Sequence, residues 1–231
     1  MVPDVATTLA APLRPMRVLC TRVSECTVTL MRTKLSTSEE RRPLVIAAAM
    51  TAFARNGYRG TTVADVAAEA GISSAYVFKL FPSKEQLFVG ALDACFDRVV
   101  DALGRGAEST ADHSPDGVLD AMGGAYAELI ADRTLLMLQV HAQSAADIPE
   151  IGPALRRGYG RVTEFAASRS GATDAAVQRF IAFGQLCHLL VTLDLDAATE
   201  PWAKALSAGI RHPDFAATTA KPRSNPEGGA L

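Results

Sequence analysis

Apolar positions recur at helical spacing through most of the chain. Between about residues 41 and 56, Leu44, Ile46, Ala47, Met50, Phe53 and Ala54 follow the i, i+3, i+4, i+7 pattern of an amphipathic helix. Asn56-Gly57 closes it, with glycine in the left-handed position past the helix end. Thr61-Thr62 offers an N-cap hydroxyl for a short second helix that turns Val63, Val66, Ala67 and Ala70 inward and ends at Gly71. Ser73 caps a third, from Ser74 to Phe81, which Pro82 prevents from continuing. Ser83 caps a long fourth carrying Leu87, Phe88, Leu92, Phe96, Val99 and Leu103. Further helices are expected at about 115–131, 133–145, 149–170, 173–194 and 198–210, with start signals at Ser114-Pro115 and Thr173-Asp174. No strand and no repeat stands out in this stretch, so the fold class is all-α.

The two ends read differently. Residues 1–36 show no helical period and carry Pro3, Pro12 and Pro15 beside a β-like patch with nothing to pair with. They are expected to be a disordered arm, or to precede a true start at Met31. Residues 212–231 are rich in Pro, Gly, Ala and Thr and read as a flexible tail. Between them, residues 37–88 form one expected domain and 89–211 a larger helical one.

The second and third helices, with a turn of about three residues around Gly71, make the helix-turn-helix pattern. Such a unit braces one helix on a DNA backbone and lays the other in the major groove. A wheel at 100° per residue, with Val77 set toward the core, puts Phe81 on the same side. It turns Ala75, Tyr76 and Lys79 outward and leaves Phe78 and Leu80 on opposite flanks. Ala75 is small enough for close approach to base edges. Lys79 and Lys84 supply charge to phosphates, Lys84 from the first turn of the next helix. No Asp or Glu falls between Ala70 and Lys84.

Composition narrows the picture. The chain has 231 residues, 48% hydrophobic and 21% charged, and a formal net charge of −2. Residues 1–90 hold 11 basic against 7 acidic residues, and residues 91–231 hold 12 against 18. A basic front fits a polyanionic partner for that part alone. Cys20, Cys26, Cys95 and Cys187 show no CxxC or disulfide framework, and the last two fall in apolar periodic runs as reduced buried thiols would. A cytoplasmic location is expected, with no cofactor, no metal and no membrane. The most apolar run, Phe180 to Leu195, is broken by Gln185, His188 and Asp194. HExxH, GxSxG, a P-loop and GxGxxG are all missing from the sequence, and adjacent Cys187 and His188 diverge by about 100° on a helix, so they cannot act as a nucleophile–base pair. An enzyme is not expected.

The run AAAMTAFARNGYRGTTVADVAAEAGISSAYVFKLFPSKEQLF, Ala47 to Phe88, resembles the DNA-binding signature of the tetracycline-repressor (TetR) family of bacterial transcription regulators. Phe53, Gly57, Tyr58, Thr61-Thr62, Val66-Ala67, Ala70-Gly71, Ser73, Phe81, Lys84 and Leu87 carry the likeness. The resemblance implies a three-helix helix-turn-helix domain followed by a helical ligand-binding and dimerisation domain. Onto this chain it maps Ser73, Ser74, Ala75 and Tyr76 at the reading face, Thr62 and Lys84 on phosphates, and Tyr58 near the backbone. One residue departs: Phe78 stands where many members carry a tyrosine whose hydroxyl bonds a phosphate. Tyr76 or Lys79 is the candidate substitute.

In the rear half, the helix around Phe180 to Leu193 is apolar nearly all round and must be covered on both sides. With the family's pairing of its last two helices, this implies a homodimer through Phe180, Gly184, Cys187, Val191, Trp202 and Leu206. A small, largely apolar ligand is expected between helices four to eight, near Phe96, Tyr126, Met137, His141, Tyr159, Phe183 and His188, with the two histidines as orienting contacts. The reading is a ligand-released repressor that binds a palindromic operator as a homodimer. The alternatives are a helical interaction or structural bundle without sequence-specific DNA binding and, behind it, a helical enzyme.

Overall fold

The computed structural model describes residues 38–209; the expected arm at 1–36 and tail at 212–231 lie outside the described residues. Nine α-helices and one short 3-10 helix (Leu195–Ala197) make up the described residues, with no strand among them. In chain order they are α1 Ser38–Gly60, α2 Val63–Glu69, α3 Ser74–Leu80, α4 Lys84–Ser109, α5 Pro115–Leu129, α6 Arg133–Ser144, α7 Ile151–Ser170, α8 Asp174–Thr192 and α9 Pro201–Ser207. The architecture is all-α, as the periodicity requires: a small N-terminal helix-turn-helix head, then a larger helical region.

The start signals act where the sequence places them. Thr62, Ser73, Ser83, Ser114 and Thr173 each accept a hydrogen bond from a backbone N–H in the first turn of the helix they precede. At Thr62 the cap is reciprocal, because the Asp65 carboxylate accepts in turn from the Thr62 backbone N–H at 2.7 Å. Gly71 makes the tight turn between α2 and α3 at φ 65°, which a side chain would strain. Gly57 breaks α1 at φ 71° and ψ 174°. It is therefore not the ordinary left-handed cap but sits in a region open only to glycine. The buried hydroxyl of Thr61 secures the break by bonding the Gly57 carbonyl at 2.8 Å.

Two phases differ from the wheel. In α1 the core face is Val45, Ala49, Ala52 and Phe53, whereas Leu44 is exposed. The alanines let α1 lie close against α4 and α6, and that close approach selects the face. In α3 Leu80 is buried with Val77 and Phe81. Tyr76, four residues before Leu80, is drawn onto the same flank and packs half-buried on the core, while Phe78 on the other flank is exposed. The large outward aromatic of the helix is thus Phe78, not Tyr76.

One hydrophobic core runs from the head through α4 into the rear. In α4, Leu87, Phe88, Leu92, Phe96, Val99 and Leu103 are all buried, as expected, and the helix crosses the expected boundary at residue 88 without a break. Arg59 and Asp147, 2.9 Å apart, link the end of α1 to the segment after α6. Among the described residues α8 is the one helix long and apolar enough to cross a membrane, which corrects the expectation that no stretch qualifies. Its apolar surface is shared between the core and an outer stripe.

Candidate functional site

The head presents α3 at its surface. Ser73, Ala75, Phe78 and Lys79 are exposed, and Ser74 is half-exposed. The helix is held from behind by Arg42, which the sequence did not single out. Its guanidinium donates to the Leu80 carbonyl at 2.8 Å and lies 4.1 Å over the Phe81 ring. The bond satisfies a carbonyl at the helix end, which has no intrahelical N–H because α3 stops at Leu80.

Beside α3, Tyr58, Lys84 and Glu85 form one cluster. The Tyr58 ring lies near Phe53 and edge-on to Phe88, its hydroxyl donates to the Glu85 carboxylate, and the Lys84 ammonium lies 4.3 Å over its face. Burial, then the bond to Glu85, pushes the Tyr58 phenol up to about 12. The same bond holds the Glu85 carboxyl below its usual range. Partial burial lowers the Lys84 ammonium, against the fields of Glu85 and Asp65. The acid-free run ending at Lys84 is thus not acid-free in space. Thr62 spends its hydroxyl on Asp65, at 2.7 Å. Lys79, by contrast, is exposed on the open face of α3.

In the rear, a cavity of about 290 Å³ opens between α4, α5, α7 and α8. Of the residues expected near a ligand, Phe96, Tyr126, Tyr159 and Phe183 line this cavity. Met137 and His141 do not. Met137 packs into the core, and the His141 ring lies against Gly57, where a Cβ would come within 3.1 Å of Nδ1. Both sit on α6, whose other face carries Gln139 to the cavity. His188 is buried behind the wall, with Nε2 2.7 Å from the Tyr126 hydroxyl. Burial lowers its imidazole to about 4, so it is neutral at pH 7.

Gln139, Gln143 and Gln185 were missed as candidate residues, although Gln139 interrupts the apolar run LLMLQV at a core position. Gln139 is buried and donates to the Leu135 carbonyl at 3.2 Å. Gln143 and Gln185 both donate to the Tyr159 hydroxyl, at 2.8 and 3.0 Å.

The residues expected at a dimer interface divide. Phe180, Gly184 and Cys187 line the cavity, and Cys187 and Val191 are buried against Ile130 and Leu136. The large apolar residues turned outward on and just past α8 are instead Leu189 and Leu193, at 43% and 56% exposure; Trp202 on α9 is 55% exposed, and Phe183, also at 55%, stands at the cavity. Leu206 is half-buried in a small cluster with Leu190, Leu195 and Ala203. A helix uniform in hydrophobicity gives no phase, and α6 selected which side faces in.

The described residues thus combine a helix-turn-helix head with a helical body that holds a largely apolar cavity. Residues 45–91 match the family of bacterial regulatory proteins described as the tetR family. Over 60 residues the chain is 37% identical to YuxN of Bacillus subtilis (strain 168), an uncharacterized HTH-type transcriptional regulator; the alignment covers 26% of this chain and 21% of that protein. The fold is similar to a TetR-family regulator from Agrobacterium tumefaciens (TM-score 0.58, 19% identity, 74% of this chain and 94% of that one). It is also similar to FadR from Bacillus subtilis in complex with stearoyl-CoA (TM-score 0.56, 16% identity, 73% and 99%). The likeness to the tetR family is thus carried by the helix-turn-helix segment, residues 45–91, and the helical fold around it is shared with these solved structures.

Proposed function

We propose that the protein is a ligand-released repressor that binds a near-palindromic operator as a homodimer in the cytoplasm. The observation that carries the DNA reading is the outer face of α3. Ala75, Phe78 and Lys79 stand exposed on a helix locked from behind by Arg42, with no acidic residue between Ala70 and Lys84. Tyr76 contributes from the flank. Phe78 has no hydroxyl for a phosphate, so its ring meets the sugar edge or a thymine methyl, and Lys79 takes the phosphate. Tyr58 positions Lys84, whereas Thr62 gives both its N–H and its hydroxyl to Asp65 and serves to fix the start of α2.

The dimer reading rests on Leu189, Leu193 and Trp202. Large apolar side chains left exposed at the end of α8 and on α9 call for a covering surface. A second copy related by a two-fold axis would set two α3 helices about 34–36 Å apart, the spacing of successive major grooves. The neighbouring fold that holds stearoyl-CoA supports a largely apolar ligand in the rear cavity.

DNA selected from a random pool, followed by fluorescence anisotropy at several salt concentrations, tests the reading. Lys79→Ala should weaken every DNA about equally and lower the salt slope by about one, whereas Phe78→Ala should flatten preference among sequences. Leu193→Glu should leave the fold intact, give monomer by light scattering and abolish two-half-site binding. Wild-type affinity in all three variants would defeat the assignment of both surfaces.

A further inference from the structure

The cavity's buried end contains hydrogen-bonding groups but no charge. The charged residues on its wall, Asp116, Asp120 and Arg179, are all solvent-exposed at the rim, two acids against one base. Deeper in, the polar wall consists of Tyr126, Gln139, Tyr159 and Gln185. Their hydrogen bonds leave a definite pattern open. Gln139 gives one of its two amide N–H groups to the Leu135 carbonyl, so its second N–H and its carbonyl oxygen remain. That oxygen is 3.5 Å from the Tyr126 hydroxyl, at the outer limit of a bond. The Tyr159 hydroxyl accepts from both Gln143 and Gln185, so its own proton is left to donate.

His188 sets the polarity of the Tyr126 hydroxyl. Its Nδ1 is buried without a partner. An orphaned N–H is rarer in folded proteins than an under-used acceptor, so the proton belongs on Nε2, donated to the Tyr126 oxygen. The phenol proton of Tyr126 is then free to point toward Gln139 or into the cavity. The wall thus offers two phenol protons, the second amide N–H groups of Gln139 and Gln185, and the Gln139 carbonyl oxygen as acceptor, all of them neutral. A ligand hydroxyl slipping between Tyr126 and Gln139 would replace one long bond with two shorter ones.

Resting on the ligand reading above, we propose that this cavity selects an uncharged, mainly apolar molecule bearing a hydroxyl or carbonyl at its buried end, and discriminates against the corresponding carboxylate. A buried carboxylate would find no cation and would face the Gln139 carbonyl oxygen, and an ion desolvated without a partner is strongly disfavoured. The cavity, about 290 Å³, lies at the lower end of the range for small-molecule pockets, so the molecule is short.

The test is calorimetric titration of the full-length protein at pH 7 with three probes of equal chain length: 1-octanol, octanoate and octylamine. Octanol should bind about tenfold or more tighter than either ion. Gln139→Leu and Tyr126→Phe should each weaken octanol several-fold and leave the ions weak. Gln185→Lys, which adds a cation at a half-buried site, should reverse the order in favour of octanoate. Octanoate or octylamine equalling octanol on the wild-type protein overturns the proposal while leaving a ligand cavity in place. No heat from any of the three overturns the ligand reading and the proposal with it. The wild-type comparison decides the matter even if a variant fails to fold.

Discussion

The head and the rear of this molecule are built from the same element but stabilised differently. The head is close-packed and almost entirely apolar inside. Phe53 and Phe88 meet edge-to-face at 4.8 Å, small alanines fill the helix crossings, and Thr61 is its one buried polar side chain. Its two short helices and the long α4 that leaves it begin at Thr62, Ser73 and Ser83, each with a side-chain cap. The rear encloses a cavity and buries Gln139 and His188 beside it. A reading surface must be held rigid to address DNA, whereas a binding cavity needs unfilled space and polar groups with capacity to spare. The two regions share α4 and one continuous core, so a change in cavity shape has a mechanical route to α3.

The largest expected effect lies in the head. Phe53→Ala should lower the unfolding free energy by about 3–5 kcal/mol, read as a lower urea midpoint at unchanged slope. A loss under about 1 kcal/mol would mean that the head is no more tightly packed than the cavity region, and the contrast would fail.

The next effect is in the rear and depends on pH. His188 is neutral in the fold down to about 4, while an unfolded histidine takes up its proton near 6.5. The unfolded state therefore binds more protons between these values, and stability falls as pH falls through that window. The full loss is on the order of 3 kcal/mol. Denaturation of wild type and His188→Gln across pH 7 to 4 should show the wild type losing its advantage below about 6.5. Parallel curves would show that His188 is not held neutral.

The smallest effect returns to the head. Ser73→Ala removes the bond to the Tyr76 N–H and should cost about 1 kcal/mol, with weaker DNA binding because the first turn of α3 loosens. An unchanged melting temperature and DNA affinity would put the rigidity of α3 in Arg42 alone.

Much of the head was legible before folding, because its signals are local. A hydroxyl cap, a turn glycine and a proline act on the few residues beside them, so Thr62, Gly71, Ser73 and Pro82 could be read one by one. The cavity was half legible. Aromatic residues at core spacing pointed to Phe96, Tyr126, Tyr159 and Phe183, but the same spacing also put Met137 and His141 there. Which face of α6 meets the cavity depends on where α1 docks.

The chain by itself determined that the described residues are helical, where most of the helices begin, and that a helix-turn-helix leads them. Those outcomes follow from hydrophobic period and from hydrogen bonds spanning three or four residues. Only the tertiary structure decided that Phe78 rather than Tyr76 faces outward, that Glu85 neighbours Lys84, and that Cys187 and Val191 turn inward while Leu189 and Leu193 do not. It also decided that glutamines and tyrosines, rather than a charge, meet at the cavity's inner end. Each of these depends on how one helix rotates against another, and that angle is set by packing between residues far apart in sequence, where periodicity carries no information.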